Sequence, residues 1–311
     1  MSRIALVLPG GGYRGAKQVG PAKELFARKE PAIIQGVSVG ALNAAGLVEI
    51  GPDGIEQRWR MVEKGGPSTI FNWRSAPFHV FTPALFSTRG LDDLVNKMDI
   101  FRILESPIEL QVVTRNESTQ ERVIFSNRDR RVLDNPEIMR KAIKASSSLP
   151  GFFPAVEIEG QWYSDGYYFD LERLADCSTV FIVFNEDSGP TRDLHNMSCF
   201  KRMFVGYGEI LDDMITEQIQ NFLDRHKEFT QVKFDSDINP LRKVTNWLIQ
   251  QAKKTVGIGG QLIAMSLSQP IPTLELDTFR QPSKSNPEGD ISKAMRLSRE
   301  QAKILLDQIT L

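Results

Sequence analysis

Three short stretches carry residue types that could do chemistry. GVSVG, residues 36–40, sets Ser38 between Gly36 and Gly40. PGGGYRG, residues 9–15, joins three consecutive glycines to Arg14 and Gly15. WYSDGYYFD, residues 162–170, contains Asp165 followed by Gly166. A serine with glycines two residues before and after it matches the nucleophile elbow, a strand-to-helix turn that exposes the hydroxyl. Alone, that spacing arises by chance in roughly one chain in ten of this length, so its surroundings decide. Residues 32–37 form an apolar run with strand character, and residues 41–49 favour helix. A helix N-terminus behind Ser38 would favour negative charge developing there. The plainer role for Ser38 is an N-cap.

Gly10, Gly12 and Gly15 satisfy the dinucleotide fingerprint in form. That fingerprint also needs an acidic residue near the tip of the second strand, to hold a ribose hydroxyl. Residues 37 and 38 are Val and Ser, so nucleotide binding is disfavoured. The same loop has another use. Backbone N–H groups of consecutive glycines at the head of a helix form a nest for anions, including a developing oxyanion. Arg14 would add positive charge beside it.

A serine nucleophile needs a base. The three histidines are His79, His195 and His226. His195 and His226 follow the elbow, as in a Ser-acid-His chain order. Yet His195 reads as an exposed loop residue, His226 as a solvated helix face, and His79 lies in an aromatic-rich segment. A carboxylate can take the proton directly, and burial would raise its proton affinity. Asp165, at the end of a short strand and before a glycine, is the first such candidate. Asp170 is the second.

Taken together and in this order, PGGGYRG (9–15), GVSVG (36–40) and SSSLPGFFPAVEIEGQWYSDG (146–166) resemble the patatin-like phospholipase family. A weaker likeness runs through LFSTRGLDDLV (85–95) into the closing helix, so residues 1–311 are expected to form one domain. The resemblance implies a three-layer α/β/α fold around a mainly parallel sheet. It implies a Ser-Asp dyad, with Ser38 as nucleophile and Asp165 as general base, and neither metal nor cofactor. Gly11 and Gly12 would offer oxyanion-hole N–H groups, and Arg14 would contact a substrate phosphate. Gly10, Gly15, Gly36, Gly40 and Gly166 are the motif glycines. The implied reaction is hydrolysis of acyl esters in phospholipids or lysophospholipids, through an acyl-enzyme that water then cleaves. One position departs from the family pattern. Tyr167 stands where Gly or Ala is usual after Asp-Gly, and YFDLERL after it is atypical. This puts the local backbone and pocket shape in question. Two alternatives stay open: an esterase or thioesterase acting on small or protein-bound acyl groups, and a catalytically silent lipid-binding module.

The elements that must position these residues follow from the apolar pattern. Ile4–Leu8, 32–37, 109–114, Arg122–Ser126 and 179–184 read as strands, the first and last as continuous apolar runs suited to a buried parallel sheet. Residues 14–29 and 135–147 read as helices, the latter with Asn135 as N-cap and Pro136 at its first position. The strand-helix-strand-helix order implies right-handed parallel crossovers. The C-terminal third reads as mainly helical, over 200–229, 241–256 and 291–309, with one strand at 273–276.

Composition bounds the rest. The chain has 311 residues and a net charge of −1, which excludes a global nucleic-acid signature. Cys177 and Cys199 make neither a disulfide framework nor a zinc site, and suit a reducing compartment. The N-terminus lacks a signal-peptide layout, and no window approaches the ~20 apolar residues of a membrane span. A cytoplasmic protein is expected; 241–254, where Arg242, Lys243, Lys253 and Lys254 lie off an apolar face, permits peripheral membrane contact, with a core-facing helix and solvated lysines the plainer reading. Residues 71–86 hold four of the 18 phenylalanines, as a lid, an acyl channel or part of the core. Arg128, Arg130 and Arg131 read as a solvated loop.

Overall fold

A computed structural model of the chain describes residues 3–71, 84, 86–184, 214–227, 229–234, 260–265, 279–285, 287–307 and 309. Its first strand, β1 (Ile4–Leu8), is buried along its whole length. It pairs in parallel with β2 (Ile33–Gly36) on one side, Leu8 opposite Gly36, and with Thr179–Val183 on the other. β3 (Glu109–Asn116) continues the parallel set beyond β2. β4 (Arg122–Ser126) pairs antiparallel along Gln111–Arg115 on the edge away from β2, and β6 (Gln161–Asp165) pairs antiparallel from Thr114 onward on β2's own edge, past the end of β2. β6 itself forms a hairpin with β5 (Val156–Ile158). On the other side, β7 (Thr179–Val183) is followed by β9 (Gln261–Met265) and then β8 (Thr230–Phe234), all parallel. The described sheet therefore runs β5-β6-β3-β2-β1-β7-β9-β8, with β4 beside β3.

Strand side chains alternate between two faces, and β1 shows both. Ile4, Leu6 and Leu8 join a core shared with the helices of the first half and the closing helix. Ala5 and Val7 join a second core with Phe169, Leu174, Ile219 and Phe222. Residues 215–222 there belong to a helical stretch, 214–225. Helices thus cover both faces, the three-layer arrangement expected, and the continuous apolar strands are those with two faces to bury.

The helices of the first layer are α1 (Val19–Arg28), α2 (Val39–Gly65), α3 (Arg89–Asn96), α4 (Ile100–Glu105), α5 (Arg130–Asp134) and α6 (Glu137–Ser146), with α7 (Asp290–Leu306) closing the chain. α2 runs well past the expected 41–49. Gly51, at φ 71°, kinks it, and Pro52 opens the continuation, a position proline tolerates. α6 starts at Glu137 rather than at Asn135, whose carbonyl instead accepts the Ile138 N–H. Arg130 and Arg131 sit in a short helix, not a loop; Arg131 stacks over Phe125, and Arg128 donates to the Ser106 carbonyl. The C-terminal third also holds two strands, β8 and β9, where mainly helix is expected. QLIAM in β9 is a five-residue apolar run, too short for periodicity to separate strand from helix. The stretches 241–256 and 273–276 lie outside the described residues. Among the described residues, no helix is long and apolar enough to cross a membrane.

Candidate active site

Ser38 stands between β2 and α2 with φ 58° and ψ −130°. Positive φ is costly for a residue with a side chain and persists only where surroundings enforce it. Here two close approaches enforce it. A Cβ on Gly36 would lie 2.3 Å from the Gly40 carbonyl oxygen, and a Cβ on Gly40 would lie 1.8 Å from that of Leu8. Only glycines let the first turn of α2 meet the tip of β1. The glycine loop then folds over the serine, so closely that a Cβ on Gly10 would fall 2.9 Å from Ser38 Cβ.

The loop backbone takes a left-handed course at two successive glycines. Gly11 has φ 149° and Gly12 φ 55°. Among the described residues their N–H groups have no hydrogen-bond partner. The Gly11 carbonyl accepts from the Arg14 N–H at 3.1 Å and from Arg14 Nε at 3.4 Å. Because C=O and N–H point oppositely across a trans peptide, this fixes the direction of the Gly12 N–H. A buried chain of side chains holds the loop from behind. Gln18 Nε2 donates to the Pro9 carbonyl at 2.8 Å; Asn43 Nδ2 donates to the Gly15 carbonyl and to Gln18 Oε1; Trp59 Nε1 donates to Asn43 Oδ1 at 2.8 Å. Asn43→Ala would leave the Trp59 N–H without its acceptor and remove the donor to the Gly15 carbonyl and Gln18 Oε1. An expected cost of ~2 kcal/mol should appear in denaturant unfolding, together with slower ester hydrolysis. Unchanged kinetics in a destabilised variant would show that the loop keeps its place without Asn43.

Asp165 ends β6, opposite Thr114 of β3, and is 2% exposed. The Ser38 hydroxyl is near enough to its carboxylate to favour the charged form. Burial pushes the Asp165 pKa up to about 7, against the lowering pull of the nearby Ser38 hydroxyl and of the Tyr167 N–H, which donates to Oδ1 at 2.8 Å. The structure thus brings together Ser38, Asp165 and the glycine loop from three separate segments.

The model of the patatin-like phospholipase family matches residues 6–171, more than half of the chain and all three motifs. The chain belongs to the patatin-like phospholipase family. Membership supports a lipid acyl hydrolase in general terms. Among solved structures, the chain is similar to VipD from Legionella pneumophila, at 14% identity and TM-score 0.46, over 99% of this chain and 67% of that one. It is also similar to the type III effector protein ExoU, at 11% identity and TM-score 0.41, over 100% of this chain and 54% of that one. No curated protein matches it.

The departure at position 167 has a backbone origin. Tyr167 has φ 64°, a region glycine enters without strain, which accounts for the small residue usual in the patatin-like pattern. A Cβ on Gly166 would come within 2.8 Å of the Val113 carbonyl oxygen, so the preceding glycine is also required. Neighbours hold the strained segment. The Arg115 guanidinium lies 5.3 Å from the Tyr167 ring centre, and that of Arg122 4.2 Å from the Tyr168 ring centre. Arg122 Nη1 donates to the Phe169 carbonyl at 2.6 Å. Gln35, wholly buried on β2, accepts the Asp170 N–H at 2.6 Å and donates to the Asp170 carbonyl at 3.0 Å. Tyr167 therefore leaves its own N–H on the Asp165 carboxylate.

The other base candidates are engaged elsewhere or lie outside the description. The Asp170 carboxylate accepts the Glu172 N–H. His226 stacks on Phe222, and its Nε2 lies 2.9 Å from Glu172 Oε2. His79 and His195 lie outside the described residues. The described ends of the aromatic segment, Phe71 and Phe86, pack in the core against Phe153, with Tyr13 on Phe71. Among the described residues, no group of three or more His, Cys, Asp or Glu could hold a metal ion. Sequence reasoning missed Asn43, Gln35, Ser146 and Ser147 as parts of the site. A buried polar residue inside an apolar run is the only local signal for the first two.

Proposed function

We propose that the protein is a serine acyl hydrolase that cleaves phospholipid or lysophospholipid acyl esters through a Ser38–Asp165 dyad. The observation that carries this reading is a buried Asp165 carboxyl beside the Ser38 hydroxyl, its proton affinity raised to near neutrality. As Ser38 Oγ attacks the ester carbonyl, Asp165 takes its proton. The oxyanion of the tetrahedral intermediate accepts hydrogen bonds from the Gly11 and Gly12 N–H groups. Collapse expels the alcohol, which leaves with the proton from Asp165, and acyl-Ser38 remains. Water then attacks the acyl carbon and gives its proton to Asp165; the second collapse returns that proton to Ser38 and frees the fatty acid.

Arg14, beside the loop, supplies positive charge toward the substrate phosphate. Such substrates sit at lipid surfaces, so the protein meets a membrane peripherally. The reading involves no metal or cofactor and treats residues 1–311 as one domain. Two features support the latter: β8 and β9 extend the same sheet, and α7 packs so tightly on α1 that a Cβ on Gly20 would lie 2.3 Å from the Arg299 nitrogen.

Release of free fatty acid from phospholipid and lysophospholipid micelles, with and without chelator, tests the reading. Ser38→Ala and Asp165→Asn are each expected to lose roughly 1,000-fold or more in kcat, while His226→Ala and chelator change little. Retained activity in either dyad variant would sink the mechanism. Wild-type protein that spares lipids but cleaves thioesters or small esters would point to the esterase alternative. Inert protein with Ser38 unlabelled by a fluorophosphonate would point to a silent lipid-binding module.

A further inference from the structure

One turn of chain at the C-terminal end of α6 holds the Ser38 peptide from both sides. The Ser38 N–H donates to Ser146 Oγ at 3.0 Å. Ser146 Oγ in turn donates to the Val113 carbonyl of β3 at 2.6 Å. Ser147 Oγ shares its proton between the Ser38 carbonyl at 3.2 Å and the Ile143 carbonyl one turn back at 3.1 Å. The next carbonyl, of Ser148, accepts the Asp165 N–H at 3.0 Å. Three consecutive serines thus touch both the nucleophile and the base, which come from opposite ends of the matched region.

The bond to Ser146 has a chemical consequence. A nucleophilic serine's own N–H is a natural donor to an oxyanion, and here Ser146 occupies it. Ser146 is wholly buried, so water cannot substitute for its hydroxyl at low cost. The hydroxyl also bridges two strands' ends: β2, which leads into Ser38, and β3, which pairs with the end of β6 that carries Asp165. Holding the positive φ of Ser38 through this bridge holds the direction of its Oγ.

We propose that Ser146 is a positioning residue. Its hydroxyl relays between the Val113 carbonyl and the Ser38 N–H, keeps the Ser38 Oγ aimed at Asp165, and leaves the oxyanion to the glycine loop. Ser147 assists from the carbonyl side. This inference rests on the Ser38–Asp165 reading.

The test compares wild type with Ser146→Ala, Ser146→Cys, Ser146→Thr, Ser147→Ala and Ser148→Ala. Readouts are kcat and KM on the lysophospholipid micelles, the rate of Ser38 labelling by a fluorophosphonate, and circular dichroism at the assay temperature. Ser148 is the control, because its Oγ donates only to the Lys144 carbonyl one turn back and not to Ser38. Misaiming a nucleophile by about an ångström costs on the order of 100-fold. Folded Ser146→Ala is therefore expected to lose 10- to 100-fold in kcat and in labelling rate, with KM little changed. Ser146→Cys, similar in size but a weak hydrogen-bonding group, is expected to show most of that loss and carries the test if the alanine variant does not fold. Ser146→Thr, which keeps the hydroxyl, is expected to recover activity to within several-fold of wild type. A purely structural role would lower stability alike at Ser146 and Ser148 and leave kcat at both near wild type. A folded Ser146→Ala or Ser146→Cys variant with wild-type kcat and labelling overturns the inference while the dyad stands. A wild type that neither hydrolyses lipid nor labels at Ser38 overturns the dyad reading, and this inference with it.

Discussion

Hydrolysis by the wild-type protein is expected to slow about tenfold for each pH unit below about 7 and to level off above it. The reason is Asp165. Burial, the largest influence on its carboxyl, raises its pKa to about 7, and a protonated carboxyl cannot accept the Ser38 proton. The profile of kcat against pH reads this directly. A flat profile down to pH 5 would remove Asp165 as the base. Stability should move the opposite way. The folded pKa lies above the unfolded value, near 3.9 for Asp, so between about pH 4 and 7 the folded state binds more protons than the unfolded one. Stability from this group is therefore present at pH 4 and lost as pH rises through about 7. Asp165→Asn keeps an oxygen for the Tyr167 N–H and never ionises. At pH 8 it is expected to be more stable than wild type by about 4 kcal/mol, with the two converging near pH 4. Denaturant unfolding at both pH values measures the gap. The inactive variant being the more stable protein at pH 8 would mean that the buried base is maintained against folding stability.

Gly40→Ala is the second change with a large expected effect. The new methyl would lie 1.8 Å from the Leu8 carbonyl oxygen, 2.5 Å from its carbon and 2.7 Å from the Pro9 carbonyl oxygen. All three are backbone atoms, so no side chain can swing aside. The Leu8 carbonyl also accepts the Val37 N–H at 3.1 Å, which ties the tip of β1 to the elbow. Alanine must push the first turn of α2 away from β1 and carry Ser38 with it. A loss of ~3 kcal/mol or more is expected, along with activity near that of Ser38→Ala. Gly46→Ala, later in the same helix, is the control. Its methyl would meet first the far end of the Ile55 side chain, at 2.6 Å, which can move. Thermal unfolding of the two variants separates them; equal small losses would show that the elbow has slack that the close approach denies.

The segments that chemistry needs were legible locally. Ile4–Leu8 is an apolar run because its strand has two faces to bury, and the GVSVG spacing answers one backbone collision within five residues, Gly36 against Gly40, while Gly40 answers a second against Leu8 of β1. The glycine loop likewise carries its conformation in its own residues. Asp165 was recognisable through the family resemblance of residues 146–166, not from spacing, since an Asp-Gly pair alone is a common turn. Other features depend on partners far along the chain. β9 is a strand because β7 and β8 flank it, and five apolar residues do not announce that. α2 continues past Gly51 and Pro52, a pair that reads as a stop. Tyr167 tolerates positive φ because Arg115, Arg122 and Gln35, from β3, β4 and β2, hold the segment in place. The Asp165 carboxyl reaches a pKa near 7 because packing removes water from it, and Ser146 reaches Ser38 only because α6 ends beside the elbow. The sequence by itself determined which residues could react, through turn geometry set by immediate neighbours. Tertiary structure decided their proton affinity, aim and support, because burial and hydrogen-bond partners are supplied by residues distant in the chain.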